Sequence, residues 1–420
     1  MTKILRAFLL SGVFAVAVTG NVRAADDHIS FTMPQMYAEG IAYNSVSNEF
    51  LVSSLHYGIV GAIGMDGKYR QWERSGGERF LSSFGIKIDA PRGRVLVCMS
   101  DLGVSENSTA TSKHKLAGVA IYDLMTGQLR GFIDLARILP GEHFANDLTV
   151  DQGGNIYVTD SFAPVIYKID AHNYAASVLF NDPRFGGDGI KLNGIVAHPD
   201  GYLLAVRMDS GALFRLDLKS REITEVALPA LFPGADGLLL DAANDLILVQ
   251  NEPGIVRRLH SADGWRTASL IASSQTPLRF PTTATLVNGK VYVLEAKLPE
   301  LFDANAQKSD QFNIVAVQFI DDPAIVEKRV KAEKALQAKK ARKLRAKKLA
   351  GKRAFKETVV NQAPVVSEQS APTAAPLLPD VAKQVESKIE LAPPPLPDVP
   401  QAQPGVLIPV VPPSPMPEKQ

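Results

Sequence analysis

Residues 145–161 read A-N-D-L-T-V-D-Q-G-G-N-I-Y-V-T-D-S. Apolar Leu148, Val150, Ile156 and Val158 alternate with polar neighbours on either side of Gly153-Gly154, the pattern of two half-buried strands joined by a tight turn. A polar pair, Asn146-Asp147, stands at the head of the first strand. The same unit recurs as A-E-G-I-A-Y-N-S-V-S-N-E-F-L-V-S-S at 38–54, L-N-G-I-V-A-H-P-D-G-Y-L-L-A-V at 192–206 and A-D-G-L-L-L-D-A-A-N-D-L-I-L-V at 235–249. Each copy opens on a small residue, an oxygen-bearing side chain and usually Gly, then runs strand, turn, strand. Self-similarity of this size is the mark of a repeat architecture.

Working outward, a copy headed by Gly85 runs to the Thr126-Gly127 turn and carries an inserted polar loop at 101–115. A last copy starts at Pro281-Thr282-Thr283 and ends in 312–319. Six copies then start about 45 residues apart, the range of four-stranded propeller blades. The expected fold is all-β, a six-bladed β-propeller over 25–320. Two stacked sandwiches would leave the shared polar position at the head of each copy unexplained. A ring must close to avoid an unpaired edge, and the alternating stretch 28–33 is the natural partner of 312–319.

The flanks read differently. Residues 1–24 carry Lys3 and Arg6, a short apolar run at 7–18, and Val22 and Ala24 at the positions preceding a cleavage site. This is the pattern of a signal peptide, or alternatively of an uncleaved anchor, and it implies a secreted or periplasmic chain. With one cysteine in 420 residues, no internal disulfide can form, so core packing must hold the fold. Cys98, within V-L-V-C-M, reads as a core filler. The net charge of +1 hides a basic stretch at 328–356. Residues 321–357 are rich in Ala, Lys and Arg and should be helical, either as a surface for an anionic envelope polymer or membrane or as a spacer. Residues 358–420 hold more than half of the 28 prolines and read as a disordered tether or docking strip. Nucleic acid as a partner does not suit an export signal, and a monomer is expected.

In a propeller the innermost strand of every blade starts at the same end of the central channel, so equivalent positions converge. Glu39, Asn146, Asn193 and Asp236 hold that position in the first, third, fourth and fifth copies. Two carboxylates and two amides facing one axis are costly to leave uncompensated. Oxygen-only donors favour calcium, with magnesium or manganese as alternatives, over zinc or copper. Taken singly, Asn193-Gly194, Asp236-Gly237 and Asn146-Asp147 could equally be turns or caps. Their common phase is what argues otherwise. Gly186-Gly187-Asp188-Gly189 is followed by no Lys-Ser/Thr, and no Gly-x-Ser-x-Gly occurs, so neither a phosphate loop nor a serine-hydrolase elbow is present.

At Ala38-Glu39-Gly40, Asn146-Asp147 with Val150-Asp151, Leu192-Asn193-Gly194 and Ala235-Asp236-Gly237 the chain resembles the senescence marker protein, gluconolactonase and luciferin-regenerating family. That family shares a six-bladed superfamily with paraoxonase and strictosidine synthase. G-W-R-T-A around Trp265 and T-T-A-T-L around Thr283 look like its calcium-dependent phosphotriesterase-like members, and the resemblance spans 31–319. It implies a divalent metal, usually calcium, bound by Glu39, Asn146, Asn193 and Asp236, and hydrolysis of a small-molecule lactone or ester. It also implies Asp236 as base or nucleophile. Sugar-lactonase members carry Arg two residues before the first motif Asn. Here that residue is Phe144, which suits a more apolar ester. Phe144 and His143 are thus the candidate substrate contacts, and His143, His56 and His198 the candidates for proton transfer. The alternative is a metal-stabilised binding module tethered by its tail.

Overall fold

Short β-branched and aromatic runs bounded by Gly, Asn and Asp turns cannot bury themselves as helices, and they fold here into sheets. The computed structural model describes residues 28–74, 80–327, 331, 334, 335, 337–340 and 342. Its strands form six antiparallel sheets, the blades of one propeller. The innermost strands are Ile41–Asn44, Ser82–Asp89, Ala145–Val150, Leu192–His198, Ala235–Leu240 and Pro281–Val287.

Closure works as the edge argument requires. His28–Thr32 is the outer strand of the sixth blade and pairs antiparallel with Gln311–Ala316, Phe31 opposite Phe312. The chain does not stop at Phe319, where the repeat pattern ends. Phe319–Asp321 adds a fifth strand to the outer edge of the fifth blade, Ser274 opposite Phe319. A three-residue strand has no periodicity to read, so the sequence gives no sign of it. A five-residue helix, Leu298–Phe302, also interrupts the sixth blade. The chain divides into two units after Asp322. In the second, the described residues 323–327, 331, 334, 335, 337–340 and 342 are helical, with an exposed Lys331–Glu327 pair at i,i+4. The remainder of the basic stretch, the leader at 1–24 and the proline-rich tail lie outside the described residues. Among the described residues, no helix is long and apolar enough to cross a membrane.

The two-residue head of the inner strand has one geometry in five of the six blades, the first pairing regularly from Ile41. The pairing of first and second strands slips between Ser83 and Ile86, Ala145 and Leu148, Ala235 and Leu238, Leu192 and Ile195, and Pro281 and Ala284. Each slip is a bulge at the head dyad: Phe84-Gly85, Asn146-Asp147, Asp236-Gly237, Asn193-Gly194 and Thr282-Thr283. A bulge re-aims a side chain and ends regular pairing. The candidate turns at Asn193-Gly194 and Asp236-Gly237 are therefore bulges inside strands.

The glycines let neighbouring strands touch. A Cβ on Gly40 would collide with Phe84 O, one on Gly85 with the Asp147 carboxylate, and one on Gly194 with Asp236 O. A Cβ on Gly237 would lie 2.7 Å from Thr282 O. Where the third blade has Asp147 instead of Gly, its carboxylate accepts a bond from Ile195 N of the fourth blade at 3.2 Å. Thr282 and Thr283 hydroxyls of the sixth blade donate to Glu39 O of the first at 2.7 and 2.6 Å. Six inner strands are thus knitted head to head around one axis. Gly194→Ala should cost about 1–3 kcal/mol through backbone overpacking, read as a lower urea midpoint with an unchanged slope.

Candidate functional site

The site is the mouth of this ring. Glu39, Asn146, Asn193 and Asp236 are all at most 4% exposed. One oxygen of each, Glu39 Oε2, Asn146 Oδ1, Asn193 Oδ1 and Asp236 Oδ1, is buried without any hydrogen-bond partner. An unsatisfied buried acceptor costs roughly 1–3 kcal/mol, so four at equivalent positions on four blades are not packing accidents.

The other half of three of these groups is held in place. Asn146 Nδ2 donates to Ser161 Oγ at 2.9 Å, Asn193 Nδ2 to Met208 Sδ at 3.5 Å, and Asn251 Nδ2 to Asp236 Oδ2 at 2.7 Å. All three supports lie 15 residues beyond the residue they hold, at the end of the second strand of the same blade. Sequence reasoning passed over Ser161, Met208 and Asn251 because their residue types differ. The constant offset was the signal that could have found them.

The carboxylates among these groups act on one another. Burial, then the charges of Asp236 and Asp147, hold the Glu39 carboxyl well above the usual carboxylate range. Burial and the Asp147 charge push Asp236 up to about 8, against the hydrogen bond from Asn251. Asp147 is itself raised by burial, with Lys87 opposing. Carboxylates from the first, third and fifth blades therefore face each other at low dielectric. Asp147 is a third carboxylate not foreseen as part of the site, but both its oxygens accept backbone bonds, from Leu148 N at 2.8 Å and Ile195 N at 3.2 Å. It serves the ring and supplies charge. Burial, Asp147 and Glu39 also push the Cys98 thiol well up, which leaves the only cysteine an inert core group beside the channel.

Among the described residues, no group of three or more His, Cys, Asp or Glu side chains could hold a metal ion. Here two of the four oxygens belong to amides. All four donors are hard oxygens, two of them carboxylates, a set that matches the ligand preference of calcium and other hard dications.

The histidines do not join the cage. His143 Nδ1 meets Asp160 Oδ2 at 2.8 Å and its Nε2 meets Leu139 O at 2.8 Å. The Asp160 hydrogen bond raises its pKa against burial. Both ring nitrogens are committed, so His143 offers a substrate no free polar group. Its role is to brace Asp160, whose Oδ1 accepts from Phe144 N at 2.9 Å, Phe162 N at 3.0 Å and Ala163 N at 3.0 Å. His198 ends its inner strand, at the end opposite Asn193, and stacks on Tyr202. His56 Nδ1 bonds Val104 O of the inserted loop at 3.2 Å. Phe144 is buried beside the cage, with its ring centroid 4.6 Å from that of Phe84. Phe84 is the residue of the second blade that stands where four others carry the cage oxygens.

No family model matches this chain, and no curated protein does. Solved structures do. The allergen Mala s 1 of Malassezia sympodialis superposes with a TM-score of 0.56 at 15% identity, over 70% of this chain and 96% of that one. A luciferin-regenerating enzyme matches with a TM-score of 0.48 at 11% identity, over 69% of this chain and 95% of that one. A gluconolactonase-like protein matches with a TM-score of 0.46 at 16% identity, over 69% and 90%. The latter two are six-bladed propellers. At 15% identity the likeness to Mala s 1 is one of fold.

The raised carboxylates fix a pH dependence. A carboxyl with a folded pKa above its unfolded value near 4 stabilises the fold fully below that value and loses the contribution as pH rises through the folded pKa. With chelator present, the melting temperature should fall as pH rises from about 4 through about 8. Calcium at 100 times its Kd should restore about 2.7 kcal/mol. Scanning calorimetry between pH 4 and 9, with and without calcium, checks both.

Proposed function

We propose that this protein is a divalent-cation-dependent hydrolase acting on a small carboxylic ester or lactone, with calcium as the ion. The observation that carries this reading is the set of four orphaned buried oxygens, one each from Glu39, Asn146, Asn193 and Asp236. A dication bound there would polarise a substrate carbonyl and acidify a bound water. The leader-like stretch at 1–24 supports reading the chain as exported.

The protein's own groups carry the rest. Glu39 and Asp236 supply the negative charge that matches a dication, and the amide oxygens of Asn146 and Asn193 complete the donor set without adding more. Ser161, Met208 and Asn251 hold the side chains they touch in fixed rotamers, so little ordering is left to binding. Asp236 is the base in this reading. Its Oδ2 is fixed by Asn251 at 2.7 Å, which orients the carboxylate to take a proton from an attacking water. The buried channel mouth excludes bulk solvent and strengthens each of these interactions.

Titration calorimetry with calcium on the purified chain, paired with hydrolysis of aryl esters and aliphatic lactones with and without chelator, tests the proposal. Asp236→Asn should lower kcat by about 10²–10⁴-fold, the range of a lost general base, while calcium still binds. Hydrolysis indifferent to chelator would overturn the mechanism. Calcium binding with no turnover of any ester or lactone would leave the binding-module reading.

A further inference from the structure

One quadrant of the mouth differs in kind from the rest. At the first position of the head dyad, five blades present Glu39, Asn146, Asn193, Asp236 and Thr282, and the second presents Phe84. Phe84 begins a continuous series of rings. Its centroid lies 4.6 Å from Phe144 at an interplanar angle of 63°. Phe144 lies 5.5 Å from Phe162, and Phe162 lies 4.6 Å from the His114 ring. Exposure rises along the series. Phe84 and Phe144 are 1% and 2% exposed, Phe162 is half-buried, and the His114 side chain is 23% exposed. The strip therefore runs from beside the cage to the surface.

The strip is held rigid from two sides. The Asp160 carboxylate binds the backbone N–H of both Phe144 and Phe162, so these rings leave the backbone at fixed angles. His114 sits in the inserted loop with a φ of 61°, a conformation L residues adopt rarely. It is pinned there by His114 N to Asp101 O at 2.8 Å and His143 N to His114 O at 3.0 Å. The loop is fastened at its base by Asp101, which accepts from Gly103 N at 2.7 Å and Ser112 Oγ at 2.7 Å. It is tied to the first blade through Glu106 N to His56 O at 3.0 Å. The insertion thus bridges the first blade to the third, across the second.

We propose that the second and third blades form the apolar half of the site, where the part-exposed Phe162 and His114 receive an aromatic or long apolar acyl group of the ester and the buried Phe84 and Phe144 back them. Phe162 and His114, the outer pair, set the length and shape of group accepted. Aromatic surfaces of this kind favour flat rings and methylene chains over hydroxylated ones. The proposal rests on the hydrolase reading for the reacting bond, but binding in the strip is separable from it.

The test uses the full chain with calcium and a pair of methyl esters, methyl acetate and methyl phenylacetate, followed by pH-stat. Phe162→Ala and, separately, His114→Gln should raise KM for methyl phenylacetate about tenfold with kcat within twofold, and leave methyl acetate unchanged. In parallel, calorimetry with 2-acetylnaphthalene, a ketone that cannot be hydrolysed, should show Kd weakened by a similar factor in both variants. Equal Kd for the ketone in wild type and both variants, or equal loss on both esters, overturns the strip. Absence of ester turnover in every protein, with ketone binding still weakened by Phe162→Ala, retains the strip and sinks the hydrolase reading instead.

Discussion

Six strand heads must meet around one axis with no space between them, and the rest of the molecule follows from that crowding. Glycine at the second dyad position of the first, second, fourth and fifth blades removes the Cβ that would strike the neighbouring backbone. Asp147 and the Thr282-Thr283 pair replace that contact with side-chain hydrogen bonds to the next strand. In five blades a bulge at the dyad turns the first residue toward the axis. What the first residue is then decides the chemistry of its sector: oxygen in the first, third, fourth and fifth blades, a phenyl ring in the second.

That arrangement stores a conflict. Buried carboxylates from three blades repel each other, and four oxygens lack partners. A core selected for stability alone would have filled these positions with apolar side chains, since half-satisfied polar groups weaken a fold. Strain of this kind gathers at functional sites. Here it is confined to one end of the channel. His198 and the turn that follows it, at the far end of the fourth inner strand, belong to ordinary stacking against Tyr202.

The supports form a second ring behind the first. Ser161, Met208 and Asn251 each lie one residue past the end of a second strand, and each fixes a cage residue of its own blade. Asp160, next to Ser161, performs the same service for the aromatic side by binding the Phe144 and Phe162 backbones and His143. Adjacent residues at one strand end therefore brace the two halves of the mouth. This explains why the ring of His143, which reads as a chemical group in the sequence, is consumed internally together with the Asp160 carboxylate.

The blade count, the closing pair and the shared phase of Glu39, Asn146, Asn193 and Asp236 were legible in the sequence because they repeat, and a repeat turns distance along the chain into position around a ring. Phe84 escaped notice as a member of that phase because its residue type breaks the pattern, and the short strand Phe319–Asp321 because three residues carry no period. The sequence by itself determined which residues would stand at the head of four inner strands, Glu39, Asn146, Asn193 and Asp236. Only the tertiary structure decided which atoms there are left without partners, that Asp147 joins the charge cluster while serving the ring, and that His143 is occupied at both nitrogens. Those outcomes depend on side chains arriving from other blades and from second strands, and local pattern does not encode such meetings.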